Sequence, residues 1–184
     1  MAGLMLSFLA FVWLAGCSPK FDWRDVRQEE AGWLASFPGK TVEVSRGLSL
    51  PSAAAPVILT LRSTRIDENL FAVGWVMNGN ESVRKSLETA MITNINAVPS
   101  TVIYRRIALS GSEGVAATEV RATGEVRTDT VPSDKPGVVT KLWMRSVTIS
   151  GSVPRVIEII AVGPADTLTE EVAEQFLESL RITQ

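Results

Sequence analysis

Val57-Ile-Leu-Thr-Leu-Arg-Ser-Thr-Arg-Ile66, Asp67-Glu68-Asn69 and Leu70-Phe-Ala-Val-Gly-Trp-Val-Met77 are three consecutive pieces of one segment, and the architecture follows from them. Val57, Leu59 and Leu61 alternate with Ile58, Thr60 and Arg62, the period of two that sends successive side chains to opposite faces of a strand. The polar triplet breaks that run, and Leu70 to Met77 resumes it. The segment is an antiparallel hairpin with a polar turn.

Toward the C-terminus, Asn78-Gly79-Asn80 closes the second strand. Asn80 is a good helix N-cap, and Glu81 in the first turn complements the helix dipole. Val83, Leu87, Met91, Ile95 and Val98 then recur at helical spacing. The helix is expected to end near Ala97, because Pro99 confines Val98 to extended backbone. Thr101–Leu109, Val115–Arg127, Val138–Ile149 and Val153–Val162 have strand character, punctuated by Gly111, Gly114, Pro132, Pro136 and Gly151. Val156, Ile157, Ile159, Ile160 and Val162 are nearly continuous, which predicts a strand covered on both faces. Thr167 and Glu170 have the spacing of a capping box. After them Leu168, Val172, Phe176, Leu177 and Leu180 share one broad helical face.

Toward the N-terminus, Thr41–Arg46 reads as a short strand with Val42 and Val44 on one face, and Pro51–Pro56 as a loop of small residues. Phe37-Pro38-Gly39-Lys40 is a bend, since Pro38 cannot donate to a ladder and Gly39 tolerates positive φ. Phe21–Val26 and Trp33–Phe37 are strand-like around a Gln28–Gly32 turn, an opening hairpin. The sum is an α+β fold: mainly antiparallel sheet packed by a mid-chain helix and a C-terminal helix, in one domain over residues 21–184.

The Phe37-Pro38-Gly39-Lys40 entry, the central hairpin, the mid-chain helix and the closing unit Val162-Gly163-Pro164 … Phe176-Leu177-Glu178-Ser179-Leu180-Arg181 together resemble the PsbP-like α/β sandwich. Phe71-Ala72-Val73-Gly74, Asn94-Ile95 and Phe21-Asp22-Trp23-Arg24-Asp25-Val26 are similar to uncharacterised lipoproteins of β-proteobacteria. These motifs are structural, and the resemblance brings no catalytic residues with it.

An apolar run from Ala2 to Gly16 ends in Leu14-Ala15-Gly16-Cys17. At about fifteen residues it is shorter than the roughly twenty that a membrane-spanning helix needs. The tetrapeptide resembles a lipobox, which implies that residues 1–16 are a lipoprotein signal peptide cut before Cys17. The same resemblance implies a diacylglyceryl group on the Cys17 thiol and an acyl group on its new amino group. The leader departs from secretory signals in having no Lys or Arg before Lys20. Residues 17–20 form a short lipidated tether. Compared with lipoproteins in general, Ser18 where Asp would signal retention implies the outer membrane, with the domain facing the periplasm.

Composition narrows the chemistry. The chain of 184 residues has no His and a single Cys, which is Cys17. It therefore forms no internal disulfide, and the mature portion of about 168 residues must be held by its core. A Ser-His-Asp triad and a Cys/His zinc site are excluded. No EF-hand loop or Asp-x-Asp cluster is present, and no metal or other cofactor is expected. A formal net charge of −2 with interspersed signs gives no basic stripe for nucleic acid.

Ser82-Val83-Arg84-Lys85 matches the Ser-x-x-Lys element of penicillin-binding enzymes. Yet Ser133-Asp134 is followed by Lys135 rather than Asn, and no Lys-Thr-Gly follows. A solvent-facing helix start is the simpler reading. Gly39-Lys40-Thr41 imitates the tail of a phosphate loop, but Leu34 stands where its first Gly belongs. The pairs Glu29/Glu30, Asp67/Glu68 and Glu170/Glu171 read as solvated turns and a helix start. Trp23, Trp33, Trp75 and Trp143 read as buried strand residues. Of Arg105 and Arg106, next to Tyr104, only one faces each side of its strand.

No catalytic residue is assigned, and Cys17 is the one modification site. The expected role is a lipid-anchored envelope protein that binds or assists assembly of another envelope component. Two alternatives stand: a periplasmic small-ligand carrier with a pocket between sheet and helix, and a carboxylate or Ser-Lys hydrolase.

Overall fold

The computed structural model describes residues 20–51, 53, 55–127 and 136–183. Cys17, Ser18, the leader, Pro132 and the Ser133-Asp134-Lys135 segment lie outside the described residues.

Among the described residues, ten strands and two helices form three layers. The order is β1 (Arg24–Gln28), β2 (Trp33–Phe37), β3 (Val42–Leu48), β4 (Val57–Ile66), β5 (Asn69–Met77), α1 (Glu81–Asn94), β6 (Ile103–Ala108), β7 (Ala116–Val126), β8 (Val138–Ile149), β9 (Arg155–Pro164), α2 (Glu170–Glu178) and β10 (Arg181–Ile182). The main sheet has seven strands in the order β3-β4-β5-β9-β8-β7-β6, and a small sheet has the order β1-β2-β10. Every pair is antiparallel. Two meanders, β3-β4-β5 and β6-β7-β8-β9, are joined side by side through β5 and β9. Helix α1 is the crossover that carries the chain from the centre of the sheet to its far edge.

The central hairpin turns at Asp67 and Glu68, with Asp67 at φ 53. On one face of the sheet, Leu59, Val76 and Val156 pack against Val83 and Leu87 of α1, while Val120, Leu142, Met144 and Ile160 surround Ile95. On the other, Phe71, Trp75, Ile157 and Ile159 meet Phe176 and Leu177 of α2 and Trp33 and Phe37 of the small sheet. Strand β9, covered on both sides, has the near-continuous apolar run that such a strand requires. The architecture is α+β, mainly antiparallel sheet with two helices.

Asn80 caps α1, its Oδ1 accepting from the backbone N–H groups of Ser82 and Val83 at 3.0 and 3.1 Å. The helix ends at Asn94, not near Ala97. Asn96 takes φ 47, and Ala97 forms a β-bridge with Gly124 of β7. A Cβ at position 124 would lie 1.9 Å from the Ile95 carbonyl oxygen, so the helix stops where Gly124 lets two backbones touch. Val98, past that stop, is half exposed instead of completing the buried stripe.

The expected capping box is also displaced. Thr169, not Thr167, caps α2 by accepting from the Val172 N–H. The Thr167 hydroxyl instead bonds Asn69 Oδ1 at 3.1 Å, tying the central hairpin to the closing unit. Leu168 needs its own place in the core, which delays the helix start by two residues.

Thr101 belongs to a 3-10 turn, Pro99–Thr101, that precedes β6, and its hydroxyl bonds the carbonyls of Val98 and Thr123. The opening hairpin is present, but Phe21–Trp23 precede β1 rather than belong to it. Trp23 is only partly buried there, against Phe21. Val42 and Val44 share a face of edge strand β3, and that face is exposed. Among the described residues, no helix is long and apolar enough to cross a membrane.

Candidate functional site: a polar cleft between α1 and β6

The first turns of α1 lie over β8 and leave β7 and β6 uncovered beyond it. That step in the surface is a cleft of about 480 Å³, lined by Glu81, Arg84, Tyr104, Arg106, Thr118, Ser146 and Thr148, with Arg105 at its edge. Residue alternation explains the lining. Tyr104 and Arg106 stand opposite Val120 and Thr118, and Thr118 opposite Ser146, so these side chains project from the α1 side of the sheet.

Beneath the cleft is a buried charge cluster. The Arg84 guanidinium donates to Glu81, 2.8 Å from Nε to Oε2 and 2.5 Å from Nη2 to Oε1, and to the Ser146 hydroxyl at 3.0 Å. It also donates to Glu88, one helical turn on, and Ser146 Oγ donates to the same carboxylate. The Arg84 hydrogen bonds hold Glu81 down to a pKa of about 2, against some desolvation, with Thr148 adding a further bond at 3.2 Å.

Glu158 of β9 lies behind this network. Among the described residues its Oε1 has no hydrogen-bond partner. Burial first, then the negative charge of Glu88, push its pKa up to about 8, against the pull of Arg84. Glu158 therefore carries a proton at neutral pH. Desolvation and Glu88 also raise the pKa of the Tyr104 hydroxyl.

A second cluster occupies the opposite face. Glu119 accepts from Arg121 and Arg145, each at 2.9 Å, and Arg145 reaches Glu174 of α2 at 2.8 Å. Burial works to raise the pKa of Glu119, but the two guanidinium groups prevail and hold it below the ordinary carboxylate value. Arg121 also contacts Glu174 and Glu170 and stacks 4.3 Å from the Trp143 ring. This cluster clamps α2 to the sheet.

Ser82 and Lys85 are both exposed, and Lys85 stands 4.0 Å from Glu81. Gly39 is buried where a Cβ would lie 3.1 Å from Thr64 Oγ1, and a strand, not a helix, follows Thr41. Glu29, Glu30, Asp67, Glu68, Glu170 and Glu171 are exposed. Trp33, Trp75 and Trp143 are buried, Trp33 and Trp75 with ring centroids 5.4 Å apart. Among the described residues, no group of three or more acidic side chains gathers as a metal site. Arg84, Glu88 and Glu158 escape a reading based on apolar periodicity. Their one visible signal is Glu158 itself, a charge inside the apolar run of β9.

The cleft is offset from one end of the sheet. Lys20 is held 3.0 Å from Asp67 at the β4–β5 turn, whereas the cleft runs along the sheet from Tyr104, level with Ala72 of β5, through Arg106, level with Gly74, to Thr148, level with Val76. From Asn69 to Val76 the strand rises about 23 Å.

No family model matches the sequence, and no curated protein matches it. Among solved structures the chain is similar to LpqN, a protein involved in cell envelope biogenesis of Mycobacterium tuberculosis, at 14% identity and a TM-score of 0.44, over 89% of this chain and 92% of that one.

Proposed function

We propose that this chain is a bacterial lipoprotein, acylated on Cys17 and held in the outer membrane facing the periplasm, that binds or assists assembly of another envelope component through the α1–β6 cleft. On the resemblance of Phe37–Lys40 and Val162–Arg181, its domain is a member of the PsbP-like sandwiches. The observation that supports the role is the offset of the cleft from the Lys20–Asp67 end of the sheet. Three residues join Cys17 to Lys20, a reach of about 10 Å. An acylated Cys17 therefore keeps the Asp67 turn close to the bilayer and sets the cleft farther along the strands, from the level of Ala72 at Tyr104 to about 23 Å away at Thr148. Acyl chains supply the attachment at about 0.8 kcal/mol for each buried CH₂.

The buried carboxylates do not favour a hydrolase, since neither Glu88 nor Glu158 lines the cleft. A small-ligand carrier is the second reading, because about 480 Å³ is within the range of ligand pockets. Photo-crosslinking residues placed at positions 68 and 104 in intact envelopes separate these outcomes. Position 68 is expected to label lipid and position 104 a protein. A lipid adduct at 104, or none at 68, contradicts the geometry; a small molecule at 104 supports the carrier.

A further inference from the structure

We propose that the outer edge of β6 receives an extended acidic peptide segment, which adds to the seven-stranded sheet as an eighth strand and sets one carboxylate against Arg106 in the cleft and the next against Arg105. This rests on the cleft being the working site of the domain and names the partner it takes.

Strand β6 is the last strand of the sheet, and its described neighbour is β7 alone. Its register with β7 is unbroken from Ile103 opposite Arg121 to Ala108 opposite Ala116. Free edges are ordinarily blunted by Pro, a bulge or charged side chains, and the charges on β6 are two arginines, which repel a basic strand and admit an acidic one. Ile103-Tyr104-Arg105-Arg106-Ile107-Ala108 contains no Pro and no Gly, and all but Ile107 are exposed. The opposite edge differs: on β3, Glu43 is already paired with Arg62 of β4 and Gly47 interrupts the side chains.

Charge specifies the occupant. Among the described residues neither Arg105 nor Arg106 has a carboxylate partner. Glu119 stands across from Arg105, but Arg121 and Arg145 already engage it. Arg106 stands across from Thr118, a hydroxyl at the cleft floor. Adjacent residues on a strand point to opposite faces, so Arg105 and Arg106 are both met by two consecutive acidic residues of an added strand. Ile103 and Ile107 flank Arg105 on its face, and Tyr104 and Ala108 flank Arg106 on the other, which favours apolar or β-branched residues beside the acidic pair. Backbone hydrogen bonds supply affinity in such strand addition and the side-chain pattern supplies specificity.

The test uses the full chain in detergent and a fluorescent octapeptide, Ser-Val-Thr-Asp-Glu-Val-Thr-Ile, read by anisotropy at low salt. Binding is expected to weaken about tenfold with Arg106→Glu and with Arg105→Glu, and a peptide carrying Lys-Lys in place of Asp-Glu is expected to bind the double variant Arg105→Glu/Arg106→Glu but not the parent. An octapeptide N-methylated at alternate residues along its edge-facing side is expected not to bind. Equal binding of the Asp-Glu and Asn-Gln peptides overturns the acidic partner, and binding of the N-methylated peptide overturns strand addition. Self-association of the chain that Arg106→Glu abolishes makes the occupant a second copy and also overturns the proposal. A protein adduct at position 104 together with a failed peptide titration sinks this inference while leaving the proposed role standing.

Discussion

Phe176→Ala is expected to destabilise the domain by about 3–5 kcal/mol, the range for deleting a fully buried Phe. Phe176 has no exposed surface, and its ring meets Phe37 of the small sheet edge-on at 5.2 Å and Phe71 of the main sheet at 5.3 Å. One ring therefore joins α2 and both sheets, and truncation leaves a cavity where all three converge. Two residues along the same helix, Glu178 is exposed, and Glu178→Ala is expected to change stability by no more than about 0.5 kcal/mol. Urea denaturation of both variants checks the assignment of helix faces. Equal, small shifts in the midpoint contradict it.

Arg84→Met is expected to cost a similar amount, about 3–5 kcal/mol near pH 8, for an electrostatic reason. It removes the cation while leaving Glu88 buried beside Glu158, and an unpaired buried charge is far more costly than the pair. The penalty should depend on pH. Glu158 has a folded pKa of about 8 against an ordinary value of 4.5, so between those values the folded state binds more protons than the unfolded. Its contribution to stability is full below about pH 4.5 and declines as pH rises toward 8. Arg84 opposes that upward shift, so without it Glu158 holds its proton to higher pH and the variant goes on losing stability above about pH 8, where the parent levels off.

Glu81 acts in the same direction. Its folded pKa of about 2 provides stability above pH 4.5 that is lost as pH falls toward 2, and this contribution disappears with Arg84. The deficit of Arg84→Met is therefore expected to be larger at pH 9 than at pH 3. Denaturation at both pH values measures it. A deficit that is small and independent of pH contradicts the buried cluster.

Periodicity carried most of the fold in the sequence, because the strongest signals were set by burial. The hairpin over 57–77, the stripe of α1 and the doubly covered β9 each record which faces are dry. The misplaced boundaries have the opposite cause. The end of α1 is decided by a backbone contact at Gly124, more than two dozen residues away. The cap of α2 is decided by the need to seat Leu168 and to free Thr167 for Asn69. Strand β10 is two residues long and exists because β2 offers a partner, so no local pattern announces it.

The same distinction governs the cleft. Arg84 and Glu88 look like an ordinary solvated i,i+4 pair in sequence, and only the crossing of α1 over β8 buries them on Ser146. Arg105 and Arg106 were legible as residues on opposite faces of one strand. That this strand forms an edge follows from β5 pairing with β9, a long-range choice that leaves β6 last in the sheet.

In the proposed role an acylated Cys17 orients everything else, so its chemistry is the most direct test. Mass spectrometry of the N-terminal peptide from membrane-extracted protein is predicted to show a chain beginning at Cys17 that carries a diacylglyceryl thioether and an acylated amino group. A mature N-terminus at Met1, or an unmodified Cys17, would contradict the account.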